Sequence, residues 1–174
     1  GDFADNLEGG QMPLPEGTFT IGHLMQQAGY KTGAIGKWGL GMHSNTGDPN
    51  KQGFDYFYGY LDQKQAHNYY PTHLWENGKW DKLNNPIMNV HPKPAQNPNF
   101  DSYIGKDYAL TKMGDKAVQF IKENKSKPFF LYLPFVAPHV SLQAPPEAVQ
   151  EYIGQFKEEP YLAQNGYIPV KYPL

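Results

Sequence analysis

The sequence predicts an α/β domain in which a parallel or mixed sheet is flanked by helices, and three observations carry that prediction. Residues 18–28 place Phe19, Ile21, Leu24, Met25 and Ala28 near helical spacing, and a short apolar stretch at 31–38 follows at once. Residues 108–124 repeat the arrangement, with Leu110, Met113, Ala117, Phe120 and Ile121 on one side, ahead of the apolar run FFLYLPFV at 129–136. Helix, strand, insertion, helix, strand is the order that builds a layered α/β domain around a parallel sheet.

Each element can be justified in turn. Residues 1–17 read as a loop closing in Pro13, Pro15 and Gly17. The first helix takes Thr18 as its cap, because a hydroxyl there can accept from the free N–H groups of the first turn, and Gly29 as its stop. The strand at 31–38 is apolar at Ala34 and Ile35 and breaks at Gly39 and Gly41. From 42 to 108 periodicity is weak and the insertion reads as loop. Within it, Asn45-Thr46-Gly47 marks a turn, and LWENGKW at 74–80 reads as a β-hairpin around Asn77-Gly78 lying outside the main sheet. The helix at 108–124 gives way to a strand whose length and aromatic content suit one covered on both faces. That strand ends near Leu133, since Pro134 has no N–H for the ladder. Pro145-Pro146-Glu147 opens a last helix through about Tyr152, and the tail to Leu174 reads as loop.

Length and composition bound the function. At 174 residues the chain suits one domain with a real core, and a mean hydropathy of -0.68 with 18 glycines and 16 prolines implies long polar loops. A net charge of -2 supplies no basic field for nucleic acid and no polybasic membrane patch, so neither partner is expected. No apolar run approaches the roughly 20 residues of a spanning helix. With no cysteine, disulfides and thiolate metal sites are excluded. Aromatic residues make up 15%, and while most are expected to pack loops on the core, some could line a sugar or aryl site.

The most informative stretch is GYKTGAIGKWGLG at 29–41, which sets Lys37 between glycines where a strand would deliver it to a surface. A P-loop would need glycine at Lys31 and a hydroxyl at Trp38, and a dinucleotide fingerprint would need a helix opening after Gly39-Leu40-Gly41. Both fail. In an open parallel sheet, ligands gather beyond the carboxyl ends of the strands. Two such ends deliver Lys37 and, after FFLYLPFVAP, His139. A lysine and a histidine on one edge can hold a tetrahedral anion and protonate or stabilise its leaving oxygen. A solvated lysine at a strand end is the plain alternative.

Gly29, Tyr30, Thr32, Gly36, Lys37 and Trp38 match the pattern Gly-Tyr-x-Thr-x-x-x-Gly-Lys-Trp, and so the segment resembles the second signature of the sulfatase family. GFDYFYGY at 53–60, HNYYPTHLWENG at 67–78 and PFFLYLPFVAPH at 128–139 resemble bacterial arylsulfatase-like members as well, so that essentially the whole chain is covered. The resemblance implies an alkaline-phosphatase-like α/β/α fold in a periplasmic or extracellular protein. It also implies that Lys37 binds sulfate oxygens and that His139 contacts the ester near its leaving oxygen. A sulfated small molecule or glycan is the implied partner.

Two departures qualify this. The family's Gly-Lys-Trp-His-Leu-Gly carries a histidine where this chain has Gly39, which leaves its role vacant or supplied elsewhere, with His43 and His67 as candidates; these two and Tyr69, which lies beside His67 with Asn68 and Tyr70, are the residues expected to contact substrate. The family's nucleophile is a formylglycine made from Cys or Ser within Cys/Ser-x-Pro/Ala-x-Arg, and its metal is calcium or magnesium, whereas this chain has no cysteine, no such motif and no matching aspartates. It is therefore expected to be the central part, residues 1–174, of a truncated catalytic domain, inactive alone and prone to self-association through exposed edges. A non-catalytic anion- or carbohydrate-binding module and a phosphatase or phosphodiesterase relative are the alternatives.

Overall fold

The computed structural model describes residues 11–88, 90, 103–139 and 143–156. In chain order these form α1 (Ile21–Gln27), β1 (Lys31–Lys37), β2 (Tyr56–Tyr60), a 3-10 turn (Gln65–His67), β3 (His73–Glu76), β4 (Lys79–Lys82), α2 (Ala109–Asn124), β5 (Phe129–Tyr132) and α3 (Pro146–Gln150). The strands make a five-stranded mixed sheet in the order β4-β3-β2-β1-β5. β1 runs parallel to both β2 and β5, in the registers Ala34 to Phe57 and Ala34 to Tyr132. β3 joins β2 antiparallel, and β4 closes the hairpin.

Alternation along β1 and β2 divides the core into two layers. On one face Ile35, Tyr58, Tyr60 and Leu74 pack with Met113, Ala117 and Phe120 of α2. On the other, Ala34, Phe57 and Trp75 pack with Met42, Phe54 and Leu61, and Trp38 closes over them. Glycines set the strand spacing at two points. A Cβ on Gly36 would stand 2.3 Å from the Pro134 carbonyl oxygen, and one on Gly59 would stand 2.0 Å from the oxygen of Gly36, so larger residues would push the strands apart.

The hairpin turn forms as its residues dictate, with Asn77 at φ 45° and Gly78 at φ 79°. Its position differs from expectation: β3 pairs with β2, so the hairpin extends the main sheet. β2 itself lies in the stretch expected to be loop. Its aromatic residues alternate between two buried faces, and Gly59 interrupts the pattern, which obscures the strand in sequence. The first helix is capped by Thr20, not Thr18; the Thr20 hydroxyl accepts from the His23 N–H and the His23 ring accepts from the Thr20 N–H. β5, expected to be covered on both faces, is an outer strand of the described sheet, and Tyr132 is 45% exposed. The expected loops at 1–10 and 157–174, and most of 84–99, lie outside the described residues.

Candidate functional site

The site is built where β1, β2 and β5, running in one direction, all end. Backbone bonds keep these exits in register beyond the strands: the Lys37 N–H donates to the Pro134 carbonyl (2.8 Å), Trp38 to Tyr60 (2.9 Å) and Gly39 to Leu61 (3.0 Å). Lys37, the segment after β2 and the segment after β5 are thus brought to one edge.

Within the GYKTGAIGKW stretch most side chains are consumed by structure. The Thr32 hydroxyl, fully buried, donates to the Gly53 carbonyl (2.8 Å), and Trp38 Nε1 donates to the Gly47 carbonyl (2.6 Å). Lys37 differs. Alternation places it on the face of Ile35 and Tyr60, and burial pulls its pKa below the ordinary lysine value, an effect partly opposed by Asp62. Among the described residues no carboxylate forms an ion pair with its ammonium. Asp62 itself is 1% exposed and already engaged: Oδ1 accepts from the N–H groups of Lys64 (2.6 Å) and Gln65 (3.2 Å), and Oδ2 from Gln11 Nε2 (3.1 Å). A half-buried cation with no hydrogen-bonded counter-charge is suited to an exogenous anion.

Asp62 starts the turn that presents His67. Its carboxylate bonds fix the first residues of the 3-10 turn, and the turn ends on His67, whose ring stacks on His139 with centroids 4.8 Å apart and planes 13° from parallel. His139 arrives from β5 through a turn in which its N–H donates to the Val136 carbonyl (3.0 Å), with Ala137-Pro138 in the cis form. Tyr69 secures it: the buried phenol donates to the His139 carbonyl, while the Tyr69 N–H donates to Gln143 Oε1 (2.7 Å) and its carbonyl accepts from the first N–H of α2, at Ala109 (2.9 Å).

Of the sequence candidates, Lys37, His67, Tyr69 and His139 are therefore gathered at the carboxyl ends of the parallel strands. His43 is not. It lies against Gly78 at the hairpin turn, where Asn77 donates its N–H to Phe57 near the start of β2, at the opposite end of that strand from Tyr60. There Nδ1 meets Asp48 Oδ2 at 3.0 Å and the ring tilts against Trp75. Asp62, expected from sequence to be a solvated carboxylate matching no metal motif, is instead a buried anchor of this edge, and Gln63 has no sequence signal. The aromatic run Tyr56, Phe57, Tyr58 and Tyr60 is the local trace of the strand that brings them to the site, but with both faces buried it carries no polar alternation to mark it.

Among the described residues no group of three or more His, Asp or Glu side chains converges. The carboxylates nearest the strands are spent on protein donors, Asp55 on Thr32, Gln26 and Lys31, and Asp107 on Asn84 and Lys112.

Comparison with known proteins gives a consistent result. The family model described as Sulfatase matches residues 2–165. Human arylsulfatase G is 31% identical over 154 residues, covering 81% of this chain and 29% of the enzyme. Two solved structures superpose at 28% identity. One, in complex with its substrate D-glucosamine-2-N,6-O-disulfate, has a TM-score of 0.57 and covers 86% of this chain and 25% of that one. The other, in complex with a neocarrahexaose, has a TM-score of 0.58 and covers 86% and 35%. The chain spans less than a third of the length of the curated relatives it matches first.

Proposed function

The chain belongs to the sulfatase family, with its alkaline-phosphatase-like mixed sheet, and from that premise we propose that its parallel-strand edge forms one wall of a site for hydrolysis of sulfate esters. Lys37 binds sulfate oxygens, His139 stands at the leaving oxygen, and His67 is the second imidazole at a site whose β1 loop has Gly39. Tyr69, its hydroxyl engaged by His139, positions that histidine. The observation that carries the reading is the half-buried Lys37 ammonium, without an ion-pair partner among the described residues, on the same edge as the stacked histidines.

The chemistry available to these residues is binding and proton transfer. Lys37 can neutralise part of the charge on a sulfate group, most strongly where burial excludes water. An imidazole can donate a proton to the departing oxygen, and its stacked neighbour restricts how it turns. Relatives of this family use a formylglycine nucleophile and a divalent cation. In this reading those parts are supplied outside the described residues, the chain being the central portion of a catalytic domain. A sulfated glycan is the substrate class favoured by the ligands of the two solved neighbours.

The test is direct. In an NMR titration with inorganic sulfate, the 174-residue chain should show saturable shifts at Lys37, His67 and His139, lost in Lys37→Ala. It should not turn over an aryl sulfate. Turnover with added calcium would refute the partial-site reading, and shifts that persist in Lys37→Ala would refute the assignment of Lys37.

A further inference from the structure

The position two residues beyond Lys37 disfavours a side chain, through its backbone conformation and through the segment that follows β2. Gly39 has φ +73°, a backbone conformation that side-chain-bearing residues rarely adopt. A Cβ placed on it would stand 2.6 Å from Cγ, 2.8 Å from Nε2 and 3.0 Å from Cδ of Gln63. The space over Gly39 is therefore filled by the carboxamide end of Gln63.

Gln63 is held there by backbone pairing. Gly39 donates to the carbonyl of Leu61, two residues before Gln63, and the buried Asp62 anchors the turn that begins on either side of it. The residue itself is exposed, and no described group hydrogen-bonds its carboxamide. The Gln63 carboxamide thus packs over the β1 exit two residues beyond Lys37. An exposed amide with no hydrogen-bond partner among the described residues, at the strand exits that also carry a cation without an ion-pair partner, is placed to contact what that cation binds.

We propose that Gln63 is a substrate-contacting residue, its Nε2 amide donating to an oxygen of the sulfate group held by Lys37. The β2 exit thereby supplies from the side a neutral polar group at a point where the β1 exit has only glycine. This inference rests on the sulfate reading of Lys37. A side chain at residue 39 would require the Gln63 carboxamide to move from its present place.

The experiment titrates inorganic sulfate into the full 174-residue chain and into Gln63→Ala, Gln63→Glu and Lys37→Ala, following backbone and side-chain amide resonances by NMR. In the wild type the Gln63 side-chain amide should shift with the same sulfate dependence as Lys37. Gln63→Ala should weaken binding about 3- to 10-fold, as expected for one lost neutral hydrogen bond. Gln63→Glu should weaken it further by placing a carboxylate beside the anion. Thermal midpoints should stay within a degree or two, because the side chain is exposed. Sulfate binding that disappears in Lys37→Ala but is unchanged in both Gln63 variants overturns the role of Gln63 while leaving Lys37 standing. Absence of sulfate binding in the wild type overturns both, and loss of the folded amide pattern in Gln63→Ala would show a structural role instead.

Discussion

The imidazoles of His67 and His139 stack face to face, 4.8 Å between centroids and 13° from parallel. The two residues belong to different strand exits, one after β2 and the other after β5, with β1 and Lys37 between them in the sheet. The contact therefore exists only because three parallel strands end together. The bond from the Tyr69 phenol to the His139 carbonyl is a second tie between the same two segments.

Removing one ring should loosen the other. His67→Ala is expected to weaken sulfate binding about 2- to 10-fold, the range of one ring contact. His67→Phe should recover the part that comes from stacking alone. Equal affinity in all three proteins would place His67 outside the site.

Sulfate affinity should depend on pH through Lys37. Its folded pKa lies below 10.5 because burial disfavours the ammonium, so binding is present below that pKa and is lost as pH rises through it, earlier than for an ordinary lysine. Lys37→Arg should carry binding to higher pH, since guanidinium keeps its proton. Titrations from pH 7 to 11 on both proteins test this. The same burial predicts that Lys37→Met leaves urea stability unchanged or raised, as is common where a residue serves binding at some cost to the fold.

Asp55 clamps the start of β1 to the segment entering β2. Its carboxylate accepts from the Thr32 N–H (2.9 Å) and from Gln26 Nε2 (3.0 Å), with Lys31 at 3.4 Å, and its own N–H donates to the Thr32 hydroxyl (3.0 Å). Burial pushes its pKa up, but the Thr32 bonds and Lys31 outweigh this and hold it below the usual value. A depressed carboxylate pKa contributes stability that is present above the unfolded value near 3.8 and is lost as pH falls through the folded one. Asp55→Asn should cost about 1–3 kcal/mol in urea melts at pH 7. Below pH 4 the gap between variant and wild type should narrow.

Gly36→Ala should damage the fold and the site together. The added methyl would meet the Pro134 carbonyl, which also accepts the Lys37 N–H. At φ 143° the new residue is strained as well. A loss of at least about 2 kcal/mol is expected, with shifted amide resonances at both Lys37 and His139. Unchanged His139 resonances would show that the β5 exit is positioned independently of β1.

Much of this was legible in the sequence, and the limits have physical causes. The helix at 109–124, the strand after it and the turn at Asn77-Gly78 are local features, set by periodicity and by the φ > 0 that Asn-Gly permits. The GYKTGAIGKW stretch singled out Lys37 and, with it, the sulfatase family. The strand at 56–60 was hidden because both of its faces are buried, leaving no polar alternation to reveal it. His43 and His67 are the same residue type on similar loops, and only the sheet separates them: one turn returns to the hairpin, while the other is held at the strand exits by Asp62. Gln63 had no signal of its own, since its position over Gly39 depends on how β1 and β2 align. The sequence by itself determined the helices, the outer strand and the hairpin turn and singled out Lys37, because those depend on neighbours along the chain. The tertiary structure alone decided which histidine, tyrosine and glutamine stand with Lys37, because parallel pairing joins residues far apart in sequence at one edge.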